Sequence, residues 1–373
     1  MKRIKGFIFI VFIILIFSMP CIIRVQHQNS VSVEDSISKL IVKADSPISI
    51  DGNDALNNTA TSGNGSAGNP YRIENLVISV SGSNQDGILI KNTNACFILK
   101  NCTVTNADFL HAGIRLENVT NAEITNNTAK YNFEGISLYY SYNNTISGNS
   151  IKNNGIGIVL YKADHTNVTN NIIQDNSAEG IGLYSAGNNN ITHNTIQDNG
   201  WEGIALYLGD NNTMMGNTIQ DNEKGIYLVG SDKNFMINNI ISNSEFDGIF
   251  LIYSDNNEIT ANQINNNEES GIYLDSSSYN RIVNNILIGN YEGIFIKKGC
   301  EGNIIADNVI KNRIHPDHIA IIMLTIGAAV IGGFLYIRIY IKKKTIKNLE
   351  KFLGGLLFFI LISIYIIGFP FVI

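Results

Sequence analysis

Between residues 87 and 313 the apolar positions recur with a nearly fixed period. The tetrad Gly-Ile-x-Leu, or a close variant, starts at Gly87, Gly113, Gly135, Gly157, Gly180, Gly203, Gly225, Gly248, Gly271 and Gly293, in steps of 26, 22, 22, 23, 23, 22, 23, 23 and 22 residues. With each repeat numbered from its Gly, position 15 is Asn in all eight repeats from Gly113 to Gly271, running from Asn127 to Asn285. Position 20 is Asn in seven of the eight, Ser244 being the exception, and position 12 is always Ile, Val or Met. A register held over eight copies is a structural repeat. Positions 2 and 4 share one face of a strand and are apolar, so they point inward. Positions 12 and 17 are the apolar centres of two further short strands. Asn recurs every five residues between them, and it tolerates the left-handed backbone that a sharp corner needs. Three strands and three corners in 22 or 23 residues predict one coil of a parallel β-helix. The chain is therefore expected to be all-β, a solenoid of about ten coils. Stacked coils place Ile on Ile inside and Asn on Asn at the corners, each amide donating to one neighbour and accepting from the other. A leucine-rich repeat of similar length would carry a helical half, and no stretch here has helical periodicity.

The flanks read differently. Solenoid ends need caps, and residues 45–86, with Ile48-Ser49-Ile50-Asp51-Gly52 and Tyr71-Arg72-Ile73-Glu74-Asn75, are the expected N-terminal cap before the repeats at 87–313. Residues 25–44 read as a linker. Lys2, Arg3 and Lys5 precede 18 uncharged residues, so residues 1–24 are either a secretory signal or an uncleaved signal anchor. The poor cleavage pattern at Ser18-Met19-Pro20-Cys21 favours the anchor. Ile319–Ile337 and Phe352–Ile373 are uncharged runs of 19 and 22 residues, long enough at ~1.5 Å per residue to cross a bilayer. Transmembrane helices are expected over 319–341 and 352–373. The loop between them, residues 342–351, carries Lys342, Lys343, Lys344, Lys347 and Lys351 and is expected to be cytoplasmic. This predicts an integral protein of the cell membrane with its repeat domain outside.

Charge supports that division. Residues 45–313 carry 28 acids and 14 bases, while each flank carries six bases and two acids. An acidic middle excludes a basic nucleic-acid-binding domain, so no nucleic-acid partner is expected. Four Cys exclude a disulfide scaffold, and 33 Gly with five Pro exclude collagen. With 64 Ile and 53 Asn in 373 residues, β-branched content is too high for low-complexity disorder.

The candidate chemistry lies in rows. Tyr139, Tyr161, Tyr184 and Tyr207 occupy position 5 of four successive repeats, and Tyr227, Phe250, Tyr273 and Phe295 occupy position 3 of the next four. Both positions flank the buried Leu and face outward. An outward aromatic stripe edged by Asn and carboxylates suits stacking on sugar rings, or burial against a partner or lid. The residue before the motif Gly is acidic at Asp86, Glu134, Glu179, Glu202, Asp247 and Glu292, and Gln-Asp-Asn recurs to give Asp175, Asp198 and Asp221 in three successive coils. Stacking puts such carboxylates about 5 Å apart, where they raise one another's pKa or recruit a cation such as Ca²⁺. These three aspartates are the catalytic candidates; the alternative is that both rows are solvated corners of the repeat, diverging outward. Soft metal ligands are dispersed: Cys96, Cys102 and Cys300 form no C-x-x-C, and His315-Pro316-Asp317-His318 is the one local candidate. Nine N-x-S/T triplets, beginning at Asn57, Asn64, Asn101, Asn118, Asn126, Asn143, Asn167, Asn190 and Asn211, arise readily in an Asn-rich repeat.

The unit Gly-Ile-x-Leu…Asn-x-Ile-x-x-Asn resembles the right-handed parallel β-helix repeats of the NosD-like and pectin-lyase-like families, over about residues 87–312. The resemblance implies a right-handed solenoid. For function it opens three readings, because the fold hosts many activities: a membrane-anchored binder of carbohydrate or a surface partner, a polysaccharide lyase, hydrolase or epimerase, and a NosD-like accessory protein for metal or cofactor delivery.

Overall fold

The structure is a computed structural model and describes residues 46–313. Three parallel sheets of eleven strands each wind through it. Sheet I holds the strands that carry the glycine tetrads, from Ile48–Asp51 and Ile88–Thr93 through Glu202–Tyr207 and Lys224–Val229 to Glu292–Ile296. Sheet II runs from Tyr71–Glu74 to Ile304–Ala306 and carries position 12; sheet III runs from Val77–Ser79 to Val309–Lys311 and carries position 17. The chain passes from sheet I to II to III and rises one rung, so every neighbour in a sheet comes from the adjacent coil. Pairing is position for position: Ile136 lies between Ile114 and Ile158, and Leu138 between Leu116 and Leu160. The solenoid expected from the periodicity is therefore present.

Residues 48–79 form a rung of their own, which makes eleven coils where the repeat pattern alone indicated about ten. The helix Gly52–Thr59 is inserted between the first strands of sheets I and II, and its Leu56 is fully buried at the end of the core. The N-terminal cap is thus a coil plus a helical plug. Among the described residues no helix is long and apolar enough to cross a membrane. The expected segments at 1–24, 319–341, 342–351 and 352–373 lie outside the described residues, as does the linker at 25–44.

Two columns of side chains from sheet I and one from each of the other two sheets fill the interior. Ile and Leu from positions 2 and 4 meet position 12 (Ile146, Val168, Ile191, Met214) and position 17 (Ile151, Ile173, Ile196, Ile219), all fully buried. The Asn columns at the corners are equally buried. Asn217 Nδ2 donates to Asn239 Oδ1 at 3.0 Å and to the Ile191 carbonyl at 2.8 Å, while its own Oδ1 accepts from Asn194 Nδ2 and from the Asn194 backbone N–H, both at 3.0 Å. The same bond links each position-15 Asn from Asn127 to Asn285, and Asn285 in turn to Asn308. Fully satisfied buried amides hold the turns in register without an orphaned donor.

The corners correct the expected backbone. The laddered Asn are not left-handed; the residue just before each one is. Asn126, Asn170, His193, Gly216 and Asn238 have φ between 53° and 66° ahead of the position-15 Asn, and Asp175, Asp198 and Asp221 have φ of 55–56° ahead of position 20. In the coil of Gly203 four residues, Leu208, Asn211, Gly216 and Asp221, are left-handed, so each coil turns at four points. At each turn the left-handed residue points its side chain to solvent, and the next residue turns inward to join the ladder.

The repeat Gly has a steric cause. A Cβ at Gly180 would lie 2.6 Å from Ile196 Cγ2 and 2.7 Å from the Gly203 carbonyl oxygen. That direction is inward, as it is for Ile181 beside it. The Gly drops out of the strand register as well: Glu202 pairs with Lys224 and Ile204 with Ile226, with no pair between them. This kink places two consecutive residues on the inner face.

Candidate functional site

Because of that kink, positions 0, 3 and 5 share the outer face of sheet I, position 0 being the residue before the Gly. Simple alternation would have sent position 0 inward with positions 2 and 4. The acids Glu134, Glu179, Glu202 and Asp247 therefore sit beside the aromatic stripe, and each is at most 5 % exposed.

All eight predicted rings lie on this face. Tyr184 and Tyr207 stack with centroids 5.2 Å apart at 6°, Tyr207 meets Tyr227 edge-on at 6.0 Å where the row shifts from position 5 to position 3, and contacts of 5.4, 4.6 and 5.0 Å continue through Phe250 and Tyr273 to Phe295. Tyr139 and Tyr161 form a separate pair at 5.5 Å. The stripe is a floor rather than an exposed surface. Seven of its rings are half-buried and Tyr207 is buried. The position-5 tyrosines bend back over small residues at position 3; a Cβ at Gly182 would meet the Tyr184 ring at 2.9 Å. Ser137, Val159 and Ala205 are buried in the same row.

Two of the bent tyrosines reach the acid at position 0 of their own coil. Tyr139 and Tyr184 donate to Glu134 Oε1 and Glu179 Oε1, both at 2.9 Å. Burial, with the Glu202 carboxylate adding to it, pushes Glu179 up to about 7 despite the Tyr184 bond that favours its ionised form. Burial also raises Glu202, against the pull of the Lys224 ammonium, and brings Asp247 to about 6. Burial by itself would lower Lys224, but the Glu202 and Glu223 carboxylates outweigh it and the ammonium is held above its ordinary value. Buried carboxyls raised in this way make the row a functional-site candidate.

Two charged clusters lie on the face. Near its N-terminal end Arg115 reaches Asp86 at 3.4 Å and Glu134 at 3.2 Å, with its guanidinium 5.1 Å from the Tyr139 centroid. His111 Nδ1 stands 3.6 Å from Asp86. Three buried atoms here, His111 Nδ1, Arg115 Nε and Ser137 Oγ, lack a hydrogen bond. Midway along, Lys224 bridges Glu202 at 3.3 Å and Glu223 at 3.0 Å and lies 5.3 Å from the centroids of both Tyr227 and Phe246.

The exposed rings flank the floor. Trp201, Phe246 and Tyr291, two residues before their glycines, are 38 %, 39 % and 49 % exposed on the N-terminal margin. Tyr140 and Tyr253 are exposed at position 6 on the opposite margin.

Asp175, Asp198 and Asp221 stand at exposed left-handed corners, outside the outer face of sheet I; Gln174 and Gln197 donate to the first two at 2.9 Å. Among the described residues no three His, Cys, Asp or Glu gather as a metal site, these three aspartates included. Cys96, Cys102 and Cys300 are thiols, not disulfides. His315 and His318 lie outside the described residues. The position-0 acids were visible in the sequence as a row edging the rings, but their burial was not.

The family described as the right-handed β-helix region matches residues 86–237 and 190–320. No curated protein matches the chain. Among solved structures, the A-module of mannuronan C-5 epimerase AlgE6 from Azotobacter vinelandii aligns with a TM-score of 0.56 at 16% identity, covering 64% of this chain and 74% of that one. The DFA-IIIase of Arthrobacter chlorophenolicus A6 aligns with a TM-score of 0.51 at 12% identity, covering 62% and 72%. At these identities the likeness is one of fold.

Proposed function

Since the chain belongs to the right-handed β-helix family, a fold that leaves function to the residues on its faces, we propose that it binds a carbohydrate chain along the outer face of sheet I. One observation carries this: a ring floor continuous from Tyr184 to Phe295, bordered by Trp201, Phe246 and Tyr291 on rungs that stack in one line. Rings of this kind present flat apolar faces to the C–H faces of pyranoses, and the buried carboxyls beside them accept hydroxyl protons. The mannuronan named in the epimerase structure is itself a glycan, which supports the class of ligand. Titration of the full-length protein with a panel of oligosaccharides tests the reading. Binding that weakens about fivefold or more in Trp201→Ala supports it; no binding to any glycan overturns it.

A second reading has its own observation. The Asp86–His111 contact, Arg115 and the Tyr139–Glu134 bond bring an acid, an imidazole, a guanidinium and a phenol together around atoms without hydrogen bonds. Such a set can move protons at a sugar carbon or a glycosidic oxygen. Loss of turnover on a bound glycan in His111→Gln, with binding retained, separates an enzyme here from a binder, and Asp198→Asn tests the corner row in the same assay.

The charge asymmetry of the sequence supports an extracytoplasmic, membrane-anchored solenoid. Protease added to intact cells should then digest residues 46–313 and spare the Lys342–Lys351 loop; a protected solenoid refutes this placement.

A further inference from the structure

The N-terminal margin of sheet I alternates ring and carboxylate over five successive rungs: Trp201, Glu223, Phe246, Glu269 and Tyr291. Backbone hydrogen bonds stack them in a line, from Glu223 N to Trp201 O at 2.8 Å, Phe246 N to Glu223 O at 2.9 Å and Glu269 N to Phe246 O at 3.1 Å. Parallel rungs are ~4.8 Å apart, so rings recur every ~9.6 Å with a carboxylate midway. No Lys or Arg occupies this column in any repeat, and its one imidazole, His111, lies four rungs before Trp201 beside Asp86.

We infer that this margin binds a basic carbohydrate chain, one whose pyranoses carry primary ammonium groups, and turns away polyuronates. The inference rests on the carbohydrate reading above and names the charge class of its ligand.

The face already holds such a group. The Lys224 ammonium lies between the margin ring Phe246 and the floor ring Tyr227, 5.3 Å from each centroid, and bonds to the margin carboxylate Glu223 at 3.0 Å and to Glu202 at 3.3 Å. An alkylammonium over two rings with two carboxylates is the arrangement in which cation–π and ionic attraction add. Glu269, one rung beyond Phe246, is exposed and has no ion-pair partner among the described residues. It offers the same chemistry between Phe246 and Tyr291 with no lysine filling it.

The wider field agrees. Outward positions 0, 3 and 5 of the ten glycine repeats carry eight acids against four bases. Each of those bases is committed to an acid of the protein: Lys91 to Asp51, Arg115 to Asp86 and Glu134, Lys224 to Glu202 and Glu223, and Lys297 to Asp275. A uronate carboxylate would meet like charge and no uncommitted cation on these positions, and like-charge juxtaposition is how interfaces exclude wrong partners.

Trp201 is the sole tryptophan of the chain, so its fluorescence reads this margin directly. Full-length protein is titrated at low salt with glucosamine, N-acetylglucosamine and mannuronate oligomers of matched length. The glucosamine oligomer is expected to shift Trp201 emission and to bind at least about fivefold tighter than its N-acetylated form. Mannuronate should leave the emission unchanged. Glu269→Gln and Glu223→Gln should each lower the preference about two- to fivefold, as for exposed ion pairs, and added salt should do the same. Equal affinity for both amino-sugar oligomers, or tighter binding of mannuronate, overturns the charge inference while leaving the carbohydrate reading standing. No response to any of the three or to neutral glycans overturns both. Should a Gln variant misfold, the comparison of ligands on the unmodified protein still decides.

Discussion

Tyr184 donates its hydroxyl proton to Glu179, five residues earlier, across the small position-3 residue Gly182, at 2.9 Å. Burial raises both groups, with Glu179 brought from 4.5 to about 7 and Tyr184 pushed well above its ordinary value. The folded protein therefore holds a proton on Glu179 that the unfolded chain releases near 4.5. Stability attributable to this proton is complete below pH 4.5, falls as pH rises from about 4.5 to 7, and is gone above 7. Glu179→Gln, which is neutral at every pH, should abolish this slope and stabilise the protein at pH 8 by up to about 3 kcal/mol. Denaturant midpoints at pH 4.5 and pH 8 check it. A mutant with the same pH slope as the unmodified protein refutes the raised pKa.

Tyr184→Phe removes the one side-chain donor that favours ionised Glu179. Its pKa should rise further, and the window of falling stability should extend above pH 7. The carboxyl carbon shift of Glu179, followed by NMR across pH 5–9, measures this directly; a lower midpoint in the mutant would contradict the assignment of the bond.

Asn217 makes four side-chain hydrogen bonds inside the solenoid, two as donor and two as acceptor. Asn217→Leu keeps the volume and leaves the Asn194 N–H, the Ile191 carbonyl and the Asn239 amide oxygen short of partners. Each orphaned buried group costs about 1–3 kcal/mol, so a total loss of about 3–5 kcal/mol is expected, at the upper end for single substitutions. A denaturation midpoint within error of the unmodified protein would show that the ladder does not bear on stability.

The ladder and the solenoid were legible because both follow from strict residue identity at fixed positions. Position 15 announces itself by being Asn in every coil, and an amide that both donates and accepts has few other reasons to recur. The backbone at the corners was misplaced by one residue, because Asn is favoured both in left-handed conformation and in ladders, and runs such as Asn126-Asn127 and Asn170-Asn171 hold one of each. The acids of the face were legible as an edge of the stripe, but their burial was not: the kink at Gly180 turns Glu179 onto the outer face, where the Tyr184 ring bends back to it and covers it. The rings were assigned to the right face, but their exposure was overestimated. Tyr184 and Tyr207 cover small residues beneath them, Gly182 and Ala205, a fact that needs the side-chain direction as well as the position.

That kink can be tested by itself. Gly180→Ala would push a Cβ against the Gly203 carbonyl oxygen and Ile196 Cγ2, at 2.7 and 2.6 Å. Backbone of the next coil cannot move without disturbing its own ladder bonds, so a loss of about 2–3 kcal/mol is expected. Gly182→Ala, on the outer face of the same strand, meets only the Tyr184 ring, which can swing aside. It should cost less. Equal losses at the two sites would deny that the first glycine faces the core.

The aromatic residues now divide into floor and margin, and the two should respond differently to truncation. Tyr161, Tyr184 and Tyr207 belong to the floor. Tyr207 is only 8 % exposed and stacks on Tyr184, whose hydroxyl holds Glu179. Replacing all three with Ala uncovers Val159, Gly182 and Ala205 and strips Glu179 of its partner, so the triple variant should unfold earlier, by about 3 kcal/mol or more in total. Its ligand affinity then reports damage to the face as a whole. Trp201 belongs to the margin, where 38 % of its surface is exposed. Trp201→Ala should leave the denaturation midpoint within about 0.5 kcal/mol of the unmodified protein, as for other surface changes. It should weaken glycan binding about fivefold or more, the equivalent of one lost stacking platform. Urea melts and affinity measurements on the same two variants separate the cases. If the triple variant melts unchanged, the rings do not support the sheet. If Trp201→Ala lowers stability and leaves glycan affinity intact, the margin is a structural seam, and the binding surface must be sought on another face of the solenoid.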